Sequence, residues 1–228
     1  MTTEHDDRPA LAPLEAAVQR SPADSGAWRR LAEGYSWADA FDLAVEAMVQ
    51  AVRLAPGDLD TRHQLGMALL QAERPREALP HLREVARLDP TSEDRQFELG
   101  VALADSGENA AAVKVFREAV ARDPDLSFGW MRLAAALFAS DRFEEAVPAF
   151  EQAVRLRPLS AHLWARLGLA CAMTGRSERA VEAFRASLRI DPDQPEALFN
   201  LGACDGGRFP EVTGAPAGPA PAAGSGRR

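Results

Sequence analysis

The stretch Trp28-Arg29-Arg30-Leu31-Ala32-Glu33-Gly34-Tyr35, followed at fixed distances by Ala44, Met48, Ala51 and Pro56, decides the fold because it returns down the chain without a gap. Pro22, Pro56, Pro90, Pro124, Pro158 and Pro192 are each 34 residues apart (56 − 22 and so on). Numbered so that this proline is the thirty-second residue, each repeat has leucine at its seventh position: Leu31, Leu65, Leu99, Leu133, Leu167 and Leu201. The eighth position is small throughout: Ala32, Gly66, Gly100, Ala134, Gly168 and Gly202. The twentieth is Ala44, Ala78, Ala112, Ala146 and Ala180, and the twenty-fourth is Met48, Leu82, Phe116, Phe150 and Phe184. Self-similarity at a period of this size is the mark of a repeat architecture.

Each class of position has a mechanical reading. Apolar residues recur at helical spacing in two segments per repeat, as in Leu65 and Leu69, then Ala78, Leu82 and Val85. The small residues let two helices approach closely, and the large ones fill the space around that contact. The proline ends the second helix, since it cannot extend the hydrogen-bond ladder and disfavours helical geometry in the residue before it. Asp105-Ser106-Gly107 and Thr174-Gly175 read as turns between the two helices. Pro80 and Pro148 read as early residues of their helices, where the first turn's N–H groups have no helical partner. Arg62, Gln96 and Cys171 depart from the pattern, the first two at a fourth position filled elsewhere by Trp28, Trp130 and Trp164.

The pattern closely resembles the tetratricopeptide repeat. Complete copies span 25–58, 59–92, 93–126, 127–160 and 161–194. Residues 10–24 carry a half-repeat, with Ala10, Leu14, Ala17 and Pro22 at the positions of a second helix, so a capping helix near 11–20 is expected. Residues 195–205 begin a sixth first helix, which Asp205 and Gly206-Gly207 interrupt. The acidic start, 1–9, and the Gly/Pro/Ala-rich tail, 206–228, show no apolar periodicity and are expected to be disordered.

What the resemblance implies is an all-α, right-handed superhelical solenoid of antiparallel helix pairs whose first helices line a concave groove. In such arrays the groove takes a peptide or helix of a partner protein. The lining positions here bring forward Trp37, His63, Met67, Leu70, Phe97, Val101, Phe128, Met131, Phe138, Leu169 and Met173, with Arg29, Glu33, Asp105, Ala135 and His162 at their margins. Methionine and phenylalanine suit an apolar or amphipathic ligand. One subgroup of the family clamps carboxylate termini of chaperones with Lys and Asn; here Glu33 and Gln64 stand where Asn is needed, and Asn200 is the only Asn on a first helix. Arg132 and Arg166, one repeat apart, read as solvated residues rather than as a clamp for an acidic group.

Other classes find less support. The net charge of −8 argues against attraction to nucleic acid or an anionic membrane. No apolar run has the length of a membrane span, and the N-terminus has no signal-like apolar core. Cys171 and Cys204 fall on apolar helical faces and read as reduced packing residues, with the cytoplasm the default compartment. His5, His63, His81 and His162 lack metal-ligand spacing, His81 is expected to face solvent, and no phosphate loop is present, so neither cofactor nor metal is expected. The reading is a non-catalytic interaction scaffold. Its alternatives are a targeting or regulatory domain of a larger enzyme complex and a scaffold that self-assembles through the terminal helix.

Overall fold

In four of the five complete repeats a polar residue caps the first helix, and in all five one left-handed residue turns the chain between the two helices. The computed structural model describes residues 11–205, and among them are twelve α-helices and no strand. They are α1 (Leu11–Arg20), α2 (Ser25–Trp37), α3 (Phe41–Leu54), α4 (Leu59–Gln71), α5 (Pro75–Leu88) and α6 (Glu93–Asp105). After them come α7 (Asn109–Arg122), α8 (Ser127–Phe138), α9 (Phe143–Leu156), α10 (Ala161–Met173), α11 (Ser177–Ile190) and α12 (Pro195–Asp205). The expectations of disorder for 1–9 and 206–228, and the packing seats of Ala10 and of the Cys204 side chain, lie outside the described residues.

The starts of the first helices are fixed by polar caps at the thirty-fourth position. Asp24 accepts from the Gly26 N–H, Asp58 from Asp60, Ser92 from Arg95 and Ser160 from Leu163. Each cap occupies an N–H that the helix itself cannot pair. Leu126 holds this place before α8 and makes no side-chain cap. The turn between the helices of a repeat needs one left-handed residue, always the fifteenth: Asp39, Glu73, Gly107, Asp141 and Gly175 all have positive φ. Glycine adopts this conformation freely, whereas Asp and Glu do so at a cost.

The helices form two compact units, divided between Arg142 and Phe143. In the first, α1 to α8, every helix packs on the next in sequence. In the second, α9 packs on α10, α10 on α11 and α11 on α12, which also reaches α10. The core of both is built from the recurring classes. Ala44, Ala78, Ala112, Ala146 and Ala180 are at most 1% exposed, and Phe116, Phe150 and Phe184 at most 2%. Each such phenylalanine contributes on the order of 1.5–3 kcal/mol of burial. The close approach at the eighth position is literal: a Cβ on Gly66 would lie 2.6 Å from Leu82 Cδ2, and one on Gly168 would lie 2.6 Å from Phe184 Cε1.

Three expectations change in detail. Pro80 and Pro148 are each the sixth residue of their helices, not within the first turn. Each therefore removes one ladder bond to the residue four before it, and both rings sit on the exposed side, where water can take the freed carbonyl. Arg62 departs from the tryptophan pattern in size but not in function. Trp28, Trp130 and Trp164 donate Nε1–H to the carbonyls of Pro22, Pro124 and Pro158 at 2.8–2.9 Å, and Arg62 donates to the Pro56 carbonyl at 2.8 Å. Gln96 donates instead to the Ala86 carbonyl, inside the preceding helix. His81 is half-buried rather than solvent-facing, and burial followed by the nearby Arg62 charge pushes its pKa down.

Candidate functional site

The first helices α2, α4, α6 and α8 of the first unit carry most of the residues expected to line a groove. None of the eleven is fully buried. Trp37, at the end of α2, is 67% exposed, and Phe128, in the first turn of α8, is 40% exposed. Met67 and Leu70 on α4, Val101 on α6, and Met131 and Phe138 on α8 are half-buried. Leu169 and Met173 are half-buried on α10 of the second unit. One face of each first helix is thus buried with Leu and Ala, while an adjoining face keeps apolar side chains accessible.

Phe97 and Phe128 come together. Their ring centroids are 5.7 Å apart at a tilt of 42°, a geometry favoured by the aromatic quadrupole. The Arg132 guanidinium lies 5.0 Å above the Phe128 ring, so this ring has an aromatic edge on one side and a cation on the other. Phe97 also touches the core: its ring is 5.2 Å from that of fully buried Phe116. It is therefore partly a structural residue, and its exposure to a ligand is smaller than that of Phe128.

Ion pairs stitch neighbouring first helices together along this face. Arg29 lies 3.8 Å from Asp58, His63 hydrogen-bonds Glu98, and Arg132 lies 3.9 Å from Asp105. In the second unit Arg166 lies 3.7 Å from Glu196. His63 thus presents an imidazole already engaged by a carboxylate, and Arg132 and Arg166 each answer an acid of an adjacent first helix. Half-exposed pairs of this kind add little stability, but they fix where long side chains lie. The partners are about one repeat apart in sequence, so no local motif announces them. Asp58 has a second role: the hydrogen bond from the buried Thr61 hydroxyl holds its carboxyl below the usual carboxylate range.

Among the described residues no group of three or more His, Cys, Asp or Glu is placed to hold a metal ion. Cys171 is a free thiol with no exposure, and its burial pushes the pKa up, away from a reactive thiolate. Among the same residues no helix is long and apolar enough to cross a membrane.

Helix pairs that repeat every 34 residues, bury one face against their neighbours and leave an apolar stripe half-open on the first helices define a helical-repeat protein of the solenoid class. Residues 63–127 and 131–195, more than half of the chain, match the family model described as tetratricopeptide repeat, and the protein belongs to that family. Solved structures share the fold. YrrB, described as a TPR protein with an unusual peptide-binding site, is 19% identical with a TM-score of 0.68, covering 83% of this chain and 98% of its own. MamA 41-end from Desulfovibrio magneticus RS-1 is 19% identical with a TM-score of 0.69, covering 75% and 97%. PilW, described as a widely conserved type IV pilus biogenesis factor, is 21% identical with a TM-score of 0.69, covering 82% and 87%. A search of curated proteins found no match.

Proposed function

We propose that the protein is a non-catalytic interaction scaffold, and that the first-helix face of its first unit binds a peptide or helix of a partner protein. The observation that carries this reading is the accessible Phe128 ring, tilted against Phe97 with Arg132 over its face, on first helices that also carry half-buried Met67, Leu70, Val101 and Met131. An apolar surface on a rigid scaffold, bordered by fixed charges, suits an amphipathic segment whose apolar side chains pack on it. Arg132 beside Phe128 would favour an acidic or aromatic residue of the ligand at that ring. The description of YrrB as having a peptide-binding site agrees with this use of the fold.

Phe128→Glu combined with Met131→Glu tests the reading better than a change at Phe97, which would disturb Phe116. Partners captured by wild type and lost by the double variant, with helicity unchanged, are the expected result. Identical partners for both proteins would remove the groove from consideration.

A further inference from the structure

The two ends of the described chain carry complementary halves of a repeat. α1 occupies the place of a second helix, and α12 that of a first helix. Both show the consequences in their burial. The twenty-fourth position of the complete repeats (Met48, Leu82, Phe116, Phe150 and Phe184) is at most 3% exposed. Its counterpart on α1, Leu14, is half-buried: it lies against Gly34 of α2, the helix on which α1 packs. Tyr35 of α2 ties this helix down by donating to Glu15 at 2.9 Å.

α12 shows the converse. Its seventh-position Leu201 is half-buried, as is Leu99, whereas Leu31, Leu65, Leu133 and Leu167 are at most 4% exposed. Leu198 is 50% exposed. Its eighth-position Gly202 is exposed, and a Cβ there would meet no heavy atom of the described residues within 4 Å. In repeats that have both helices, this glycine is the point where the twenty-fourth side chain of the second helix lands, as Leu82 does on Gly66 and Phe184 on Gly168. Among the described residues, then, no second helix covers this face of α12, and α1 is a second helix with its own-repeat face half-open.

The chain's own tail is a poor occupant. A second helix such as α5 presents five buried apolar residues, Ala78, Leu79, Leu82, Val85 and Ala86. The segment 206–228 contains Phe209 and Val212 as its only large apolar residues, interspersed with Pro210, Pro216, Pro219 and Pro221. A second copy supplies what the tail lacks. We infer that α12 of one copy and α1 of another combine into one complete repeat, so that the protein self-associates head to tail. Leu14 of one copy then sits near Gly202 of the next, and Ala17 near the start of its α12. In the complete repeat of the second unit, Ser187 at the twenty-seventh position likewise donates to the Ala161 carbonyl at the start of its first helix, at 2.8 Å. Such an interface is heterologous, with different surfaces on the two partners, and it grows beyond a dimer unless it closes into a ring.

Light scattering on full-length protein, from low micromolar to submillimolar concentration, reads the association directly. The wild-type mass is expected to rise well above the monomer's 24.6 kDa. Gly202→Glu blocks the seat on α12 at a position where a Cβ meets none of the described residues, and Ala17→Glu blocks the matching face of α1; each alone is expected to stay monomeric. An equal mixture of the two retains one good seat and one good α1, and is expected to yield a dimer that grows no further. Circular dichroism checks the folding of both, with Ala17→Gln as a milder second variant for α1. Wild type that stays monomeric overturns the inference, as does a folded variant that still associates or a mixture that stays monomeric. The groove reading is independent of all these outcomes, since Phe128 and Met131 lie outside both end helices.

Discussion

At the fifteenth position of each repeat, one backbone dihedral outweighs side-chain identity. Gly107 and Gly175 meet the positive φ with glycine, and Asp39 and Asp141 meet it with a residue whose short side chain tolerates the left-handed region. Glu73 has neither advantage at φ 56°. Glu73→Gly is expected to stabilise the protein by about 1 kcal/mol, the strain relieved exceeding the added freedom of glycine in the unfolded chain. A higher urea midpoint with an unchanged slope is the readout, and a lower midpoint would show that Glu73 makes a compensating contact. His81 gives a second test at this scale. Its folded pKa is lowered by burial first and by Arg62 second, so the unfolded chain takes up a proton more readily than the folded one. Stability from this group is complete above the unfolded value of about 6.5 and declines as pH falls below it toward the folded pKa. His81→Gln should therefore flatten the loss of stability between neutral and mildly acidic pH, and an unchanged profile would count against the assignment.

Among the elements, the helix pair is set by what meets the eighth position. Gly168 has Phe184 against it, and Gly202 has none of the described residues against it. Alanine at the first is expected to cost about 1–3 kcal/mol, because the phenylalanine ring is confined on all sides and must shift. At the second it should be neutral or favourable by up to about 1 kcal/mol, since alanine is the better helix former. Thermal or urea unfolding of the two variants checks the contrast, and equal effects would contradict it. This scale is also where the sequence spoke most clearly. Leu, Gly or Ala, and Pro at fixed positions specify helix pairs because the same packing problem is solved in each repeat. The positions it misread are those where chemistry substitutes for size. Arg62 takes over the tryptophan's hydrogen bond through a different group, and His81 is covered by neighbours that its own helix does not reveal. The candidate face was legible as a set of positions, but not as a surface. The His63–Glu98, Arg132–Asp105 and Phe97–Phe128 pairs depend on neighbouring repeats whose register must be known before any partner can be named.

For the whole molecule, stability should vary along the chain rather than belong to it uniformly, because each repeat buries its faces only against neighbours. α10 buries Leu163, Ala165, Leu167, Gly168, Ala170 and Cys171, whereas α6 buries only Gly100, Ala102 and Leu103. The first half of α6 shows why. The third position is Ala27, Thr61, Gly129, Leu163 or Ala197 in the other repeats, all buried, but here it is Arg95, turned to Asp89 at 2.9 Å. The fourth position is Gln96 instead of tryptophan, and Leu99 is half-buried where the other complete repeats bury this leucine. Polar substitutes with half-exposed ion pairs replace apolar burial, and they return less free energy than the contacts they displace. Native-state hydrogen exchange should follow this order, with amides in the first half of α6 exchanging well before those of α10, although α6 lies inside the array rather than at its end. Gln96→Trp restores the common fourth-position side chain, with the Pro90 carbonyl in the place where the other tryptophans find theirs, and should slow exchange in α6 selectively. Exchange in α6 as slow as in α10, or a Gln96→Trp effect spread evenly over all helices, would mean that the array unfolds as one cooperative body and that local burial does not set its weakest point.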